Sequence, residues 1–113
     1  MRKVTERAAQ ALKNGYNYKS GNTAVISNGN VMNLHDNTIA IYDRIEQKLT
    51  LRDCGWQTVT TKERLNGILQ AFGIQYVIYQ HKGNWIIESS KLGRERSEAW
   101  QGFAVFDVSR GDL

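Results

Sequence analysis

The chain has no proline, one cysteine and two histidines, and each shortage excludes something. A single thiol, Cys54, allows no internal disulfide, which fits a reducing compartment and makes the cytosol the expected location. His35, His81 and Cys54 do not fall at zinc-ligand spacing, so no metal is expected. No window approaches the ~20 apolar residues of a membrane span. Met1-Arg2-Lys3 runs into Glu6, Arg7 and Gln10 rather than an apolar signal core, so neither a signal peptide nor a membrane partner is expected. Without proline the turns must come from other residues, and Asn28-Gly29, Asp36-Asn37 and Lys82-Gly83 supply them.

Catalytic motifs are missing too. There is no phosphate-binding glycine loop, no Gly-x-Gly-x-x-Gly and no paired-carboxylate helix motif. His35 and Asp36, as neighbours on a strand, would point to opposite faces and form no dyad. The expectation is a protein that is not an enzyme and needs no cofactor.

What remains is a chain of 113 residues, 41% hydrophobic, enough for one domain with a modest core. Its formal charge of +4 favours anionic partners at low salt, but the cations are not gathered into the dense patch of a nucleic-acid binder.

The chain is organised around the stretch from Gly55 to Leu69, where a β-rich half hands over to the strongest helix. Thr60 and Glu63 have capping-box spacing, with Thr61 as the alternative cap. Leu65, Ile68, Leu69 and Phe72 then share one face, leaving Lys62, Arg64, Asn66 and Gln70 on the others, and Gly73 provides a left-handed stop. This central helix spans 60–73. Gly67 within it suggests a close approach to a neighbouring strand.

A shorter helix occupies the N-terminal segment 1–15, with Val4, Ala8, Ala11 and Leu12 on a thin, alanine-rich stripe. Tyr16 to Gly21 reads as a connector. A β-meander fills 22–52, with Asn28-Gly29 as a two-residue hairpin turn and Ile45, Gln47, Leu49 and Leu51 on the buried side of its last strand. A hairpin turning at Lys82-Gly83 fills 74–89. In the variable C-terminal segment, 90–113, Lys91 to Glu98 reads as a mobile loop or a helical turn, Trp100 to Val108 as a last strand, and the tail from Ser109 as frayed. The expected fold is α+β: one antiparallel sheet of about five to seven strands with two helices packed on it.

Six residues are candidate ligand or partner contacts: Lys62, Arg64, Lys82, Tyr16, Tyr18 and Trp85. Arg64, on the first turn of the central helix beside Lys62 and free N–H groups, suits a phosphate or carboxylate; the plainer alternative is a solvated arginine paired to Glu63 or Asp53. Tyr16 and Tyr18 either pin the first helix to the sheet or form a stacking surface. At least two of Trp56, Trp85 and Trp100 belong in the core, and an exposed one would be an interface contact.

Several blocks together resemble a family of small, functionally uncharacterised proteins encoded by tailed bacteriophages. They are Gly21-Asn22-Thr23 with Val25, Leu34-His35-x-Asn37-x-Ile39-Ala40, Trp56-x-Thr58-x-Thr60-Thr61-Lys62-Glu63-Arg64-Leu65-Asn66, and Tyr79-Gln80 followed by Trp85. The resemblance covers roughly residues 5–88, with Asp36 standing where the family pattern has glycine, and the segment after Ser89 looks particular to this chain.

The resemblance implies an origin more than a mechanism. It implies a phage accessory protein that binds a host or phage macromolecule stoichiometrically during infection, with counter-defence as one setting. The alternatives are a nucleotide- or nucleic-acid-binding module and a minor virion protein. A homodimer paired through short, uncovered edge strands is also expected.

Overall fold

The computed structural model describes residues 2–110. The order is α1 (Lys3–Asn14), β1 (Tyr18–Ser20), β2 (Thr23–Ile26), β3 (Val31–Leu34), β4 (Asn37–Asp43), β5 (Lys48–Arg52), α2 (Val59–Ala71), β6 (Tyr76–His81), β7 (Asn84–Ser89), β8 (Gly93–Ala99) and β9 (Phe103–Asp107), closed by a 3-10 turn, Val108–Arg110. Two helices and nine strands among the described residues make an α+β fold. The strands form two antiparallel sheets rather than one: six strands in the order β1-β2-β3-β4-β5-β9, and three in the order β6-β7-β8.

The connector before β2 contains a strand of its own, β1, returned by a turn in which Gly21 takes φ +56°. The next hairpin does not use the two-residue turn that Asn28-Gly29 suggests. Ile26 pairs with Val31, so the loop is four residues long, with Ser27, Asn28 and Gly29 all at positive φ. Packing explains the choice at Gly29. A Cβ there would lie 2.4 Å from the Tyr16 nitrogen and 2.5 Å from the Gly15 carbonyl carbon, so only glycine lets this loop close on the end of α1. Arg44 completes the junction, with Nη1 donating to Lys13 O at 2.9 Å and Nη2 donating to Leu12 O and Gly29 O, and so caps α1 from another strand pair.

Two turns take the expected form, although the first is shifted by one residue to His35-Asp36, with φ +49° and +66°, while Lys82-Gly83 has φ +51° and +83°. Both have the two positive φ values of a type I′ turn. The last strand of the meander begins later than its alternation suggested. Residues 44–47 are a loop, nucleated by Asp43 Oδ1 accepting from the Ile45 and Glu46 N–H groups, and Ile45 is 93% exposed.

Between β3 and β4 the register slips after Met32, with Met32 opposite Ala40 and Asn33 opposite Thr38. The extra residue, Ile39, thereby turns inward next to Ala40, and both are buried. Lys91 to Glu98, expected as a loop or turn, lies largely in strand β8, which pairs with β7 and exposes almost every side chain. Of the expected frayed tail, Ser109 and Arg110 fall in the closing turn; residues 111–113, like Met1, lie outside the described residues.

The core lies between the inner face of the six-stranded sheet and the two helices, and continues into the small sheet through Ile78, Trp85 and Ile87. The alanine stripe of α1 packs against α2, and α1 meets β1, β2 and β3 while α2 meets β4 and β6. Gly67 is buried and borders, with Glu6, Ala9 and Gln10 of α1, a small concavity between the two helices.

Candidate functional site

The central helix starts two residues earlier than the Thr60–Glu63 capping box implied. Thr58 is the cap, its hydroxyl oxygen accepting from Thr61 N–H at 3.1 Å. Glu63 therefore does not reach back to a cap. Its Oε1 accepts from Thr5 of α1 at 2.6 Å and from Arg64 Nη1 at 2.6 Å.

Arg64 is 2% exposed. It donates to Thr5 Oγ1 at 2.6 Å and, through Nε, to Thr23 Oγ1 at 3.1 Å, and so ties α1, α2 and β2 together. Burial lowers its pKa, with Glu63 acting in the opposite sense, but an arginine so placed keeps its proton. It is paired with Glu63, yet neither solvated nor presented to a ligand. Glu63 is affected by burial, which opposes its charge, but the bond from Thr5 together with Arg2 and Arg64 outweighs that and holds its carboxyl below the ordinary value.

The other candidate contacts scatter. Lys62 stands with Nζ 5.9 Å from the centroid of the Trp85 ring, but that ring is only 4% exposed and packs on Trp100 at 6.4 Å. Lys82 is exposed in the β6–β7 turn. Tyr18 packs on the core, and Tyr16, 48% exposed, lies in the link after α1. Lys62 and Trp85 thus come together; the six residues do not form one site.

The best-formed concavity is elsewhere. A cleft of about 440 Å³ opens between the tip of the β3–β4 hairpin and the start of α2, lined by Leu34, His35, Asn37, Ile39, Asp53, Trp56, Thr58, Thr60 and Thr61. The β3–β4 bulge supplies its apolar floor by turning Ile39 inward. Trp56, 61% exposed, borders it, and three residues on, Val59 is 72% exposed. Of the three tryptophans, two are core and this one faces solvent.

Asp53 holds the Trp56 loop in place. Oδ1 accepts from Gly55 N–H at 2.8 Å, and Oδ2 accepts from Gln57 Nε2 at 3.1 Å and from Trp100 Nε1 at 2.9 Å. Burial works against its charge, but those bonds win and keep its pKa below the ordinary value. Cys54 in the same loop donates its thiol to Thr38 O at 2.9 Å, linking the loop to the hairpin across the cleft. The cleft therefore has an apolar floor, threonine hydroxyls on one wall and an exposed indole on a tethered loop.

Among the described residues no group of three or more His, Cys, Asp or Glu side chains is gathered as metal ligands, and no helix is long and apolar enough to cross a membrane.

The Leu34-to-Ala40 and Trp56-to-Asn66 blocks, which carried the resemblance to phage proteins, are the two walls of this cleft. A family model, the Kyanoviridae Gp96 protein, matches residues 1–106. The chain belongs to that phage protein family. The match runs past Ser89 through β8 and most of β9, so the segment that looked particular to this chain is largely family territory. No curated protein matches the chain, and no solved structure does.

Trp56 was flagged in the sequence only as one of three tryptophans. Its signal is positional: it falls between the Asp53–Gly55 turn and the Thr58 cap, in neither a strand nor a helix, and so has no buried face to join.

Proposed function

We propose that this phage-family chain is a non-enzymatic accessory protein that acts in the host cytoplasm by stoichiometric binding of a protein partner, with the Trp56 cleft as its contact surface. The observation that carries this reading is an indole 61% exposed at the edge of a cleft with an apolar floor, on a loop tethered by Asp53 and Cys54. Exposed tryptophan over a pocket is the residue type and setting in which binding energy concentrates, and a loop already held in place loses little entropy on binding. Counter-defence is one setting for such a binder.

The test is affinity capture from infected host cells with the parent chain and Trp56→Ala, followed by titration of the captured protein. Truncating a central interface tryptophan costs about 2 kcal/mol or more, a loss of about thirtyfold in affinity. Because Trp56 is outside the core, the unfolding midpoint should stay close to that of the parent. Absence of a near-equimolar partner, or capture indifferent to Trp56→Ala, would refute the reading.

A further inference from the structure

We propose that the open edge of β9 is a docking site for an extended segment of a partner protein, which adds to the six-stranded sheet as a further strand.

The inference starts from the hydrogen bonds of β9. Asp53 N–H donates to Gly102 O at 3.1 Å and Val108 N–H donates to Gln47 O at 2.8 Å, at the two ends of the β5–β9 ladder. Residues along an antiparallel strand turn their N–H and C=O toward a given neighbour alternately. Gly102, Ala104, Phe106 and Val108 therefore face β5, while Phe103 and Val105 point their backbone groups away from it. β9 is the last strand of its sheet, so among the described residues no strand takes those groups up. They open into a groove of about 450 Å³ lined by the whole of Phe103–Asp107, by Tyr76 and Ile87 of the small sheet, and by Arg96 and Glu98 of β8.

The other three sheet edges are blunted. β1 is three residues long. The outer groups of β6 at Ile78 are taken by the Asn66 side-chain amide. β8 carries Arg94, Glu95, Arg96 and Glu98, all exposed. Shortness, cover and charge are the devices by which sheet edges avoid pairing. β9 uses none of them: it is uncharged from Phe103 to Phe106, and Phe103 and Val105 are 58% and 54% exposed.

Backbone chemistry selects the occupant. N–H and C=O groups repeating at strand spacing are matched by another extended peptide, whose main chain supplies affinity while its alternate side chains supply specificity. Residues opposite one another in a ladder share a face, so the segment's residues beside Phe103 and Val105 are apolar. Those between them turn to the groove, where Arg96 and Glu98 present one charge of each sign. β8 stands on the far side of that groove, where a second copy's sheet would have to continue, so the edge suits a single strand rather than another sheet. It is separate from the Trp56 cleft, and the inference does not rest on the function proposed for that cleft.

The probe is a short, end-capped peptide of alternating valine and threonine with a lysine at each end, titrated to ~1 mM into the isotope-labelled full chain. Amide shifts should concentrate at Phe103–Asp107 and on the facing part of β8, and hydrogen exchange at Phe103 and Val105 should slow about tenfold or more at saturation. The same peptide N-methylated at its valines should give no such shifts, because the donors facing β9 are gone. Val105→Pro removes an outward donor but no bond to β5, so it should abolish binding with the unfolding midpoint little changed. Should that variant not fold, Val105→Lys puts a charge on the edge and should weaken binding about tenfold.

No localised shift up to ~1 mM overturns the proposal. So does a peptide that binds as well when N-methylated, or equally well to Val105→Lys, since side chains alone would then hold it. Shifts at Phe103–Asp107 on concentrating the chain without peptide would make a second copy the occupant and overturn it too.

Discussion

Arg64 shows how far one side chain can depart from its local pattern. It sits four residues before Ile68 and three after Thr61, on the buried stripe of α2 rather than on a polar face. The guanidinium is satisfied by hydroxyls two elements away, Thr5 and Thr23, and nothing in the local sequence announces either. Asp53 is similar: its partner Trp100 lies 47 residues on. The two carboxylates in these clusters, Asp53 and Glu63, share a consequence.

Both have folded pKa values below their ordinary values of 3.8 and 4.5. Their ionised forms therefore favour the fold above those values, and that contribution is lost as the pH falls through the lowered ones. Urea-unfolding midpoints should be flat from neutral pH to about pH 5 and drop below about pH 4, with Asp53→Asn lowering the neutral midpoint and flattening the drop. An acid limb as steep in Asp53→Asn as in the parent would remove Asp53 from this account.

At the scale of elements, what the sequence made legible follows from local chemistry. The Gly73 stop and the Lys82-Gly83 turn stand where expected, because a positive φ is a property of a few adjacent residues. The cap of α2 was misplaced because three threonines, Thr58, Thr60 and Thr61, crowd its start, and only packing decides which hydroxyl turns back. Strand β8 was missed because Arg94, Glu95, Arg96 and Glu98 look like a solvated loop; charges also suit an edge strand, where they discourage further pairing. Alternation tells which face is buried but not which sheet a strand joins, so two sheets were read as one.

The Trp56 cleft was invisible for the same reason, since its walls come from a hairpin tip and a helix start brought together only by the fold. Asn66, further along α2, ties that helix to β6. Its Nδ2 donates to Ile78 O at 2.8 Å and its Oδ1 accepts from Ile78 N–H at 2.9 Å, closing the outer edge of β6 as a strand would. Asn66→Ala leaves both backbone groups without a partner beside a buried residue and should cost about 2 kcal/mol or more, seen as a lower urea midpoint. A change under about 0.5 kcal/mol would mean that water replaces the amide.

On the scale of the whole molecule, the sheets are joined at the end of the chain. The chain leaves the small sheet after β8, passes Trp100 and pairs as β9 with β5, so the residues that complete the large sheet are separated from it by α2 and three strands. Phe106 seals the core on that side, ring to ring with Tyr76 at 5.7 Å. A chain ending at Ala99 would lose β9, Phe106 and the Trp100–Asp53 bond together, and should show no cooperative thermal transition. A truncated chain that melted as sharply as the parent would mean that the first five strands and the helices are a complete unit.

The late arrival of β9 also has a meaning in time. A chain leaves the ribosome from its N-terminus at roughly 5–20 residues per second, so β5 emerges seconds before the strand that will cover its edge. During that interval the nascent meander presents an open strand edge to whatever is nearby, including other nascent copies on the same message. Lys48 and Arg52, both exposed at the ends of β5, sit where charge discourages such pairing until Phe103–Asp107 emerges to take the place.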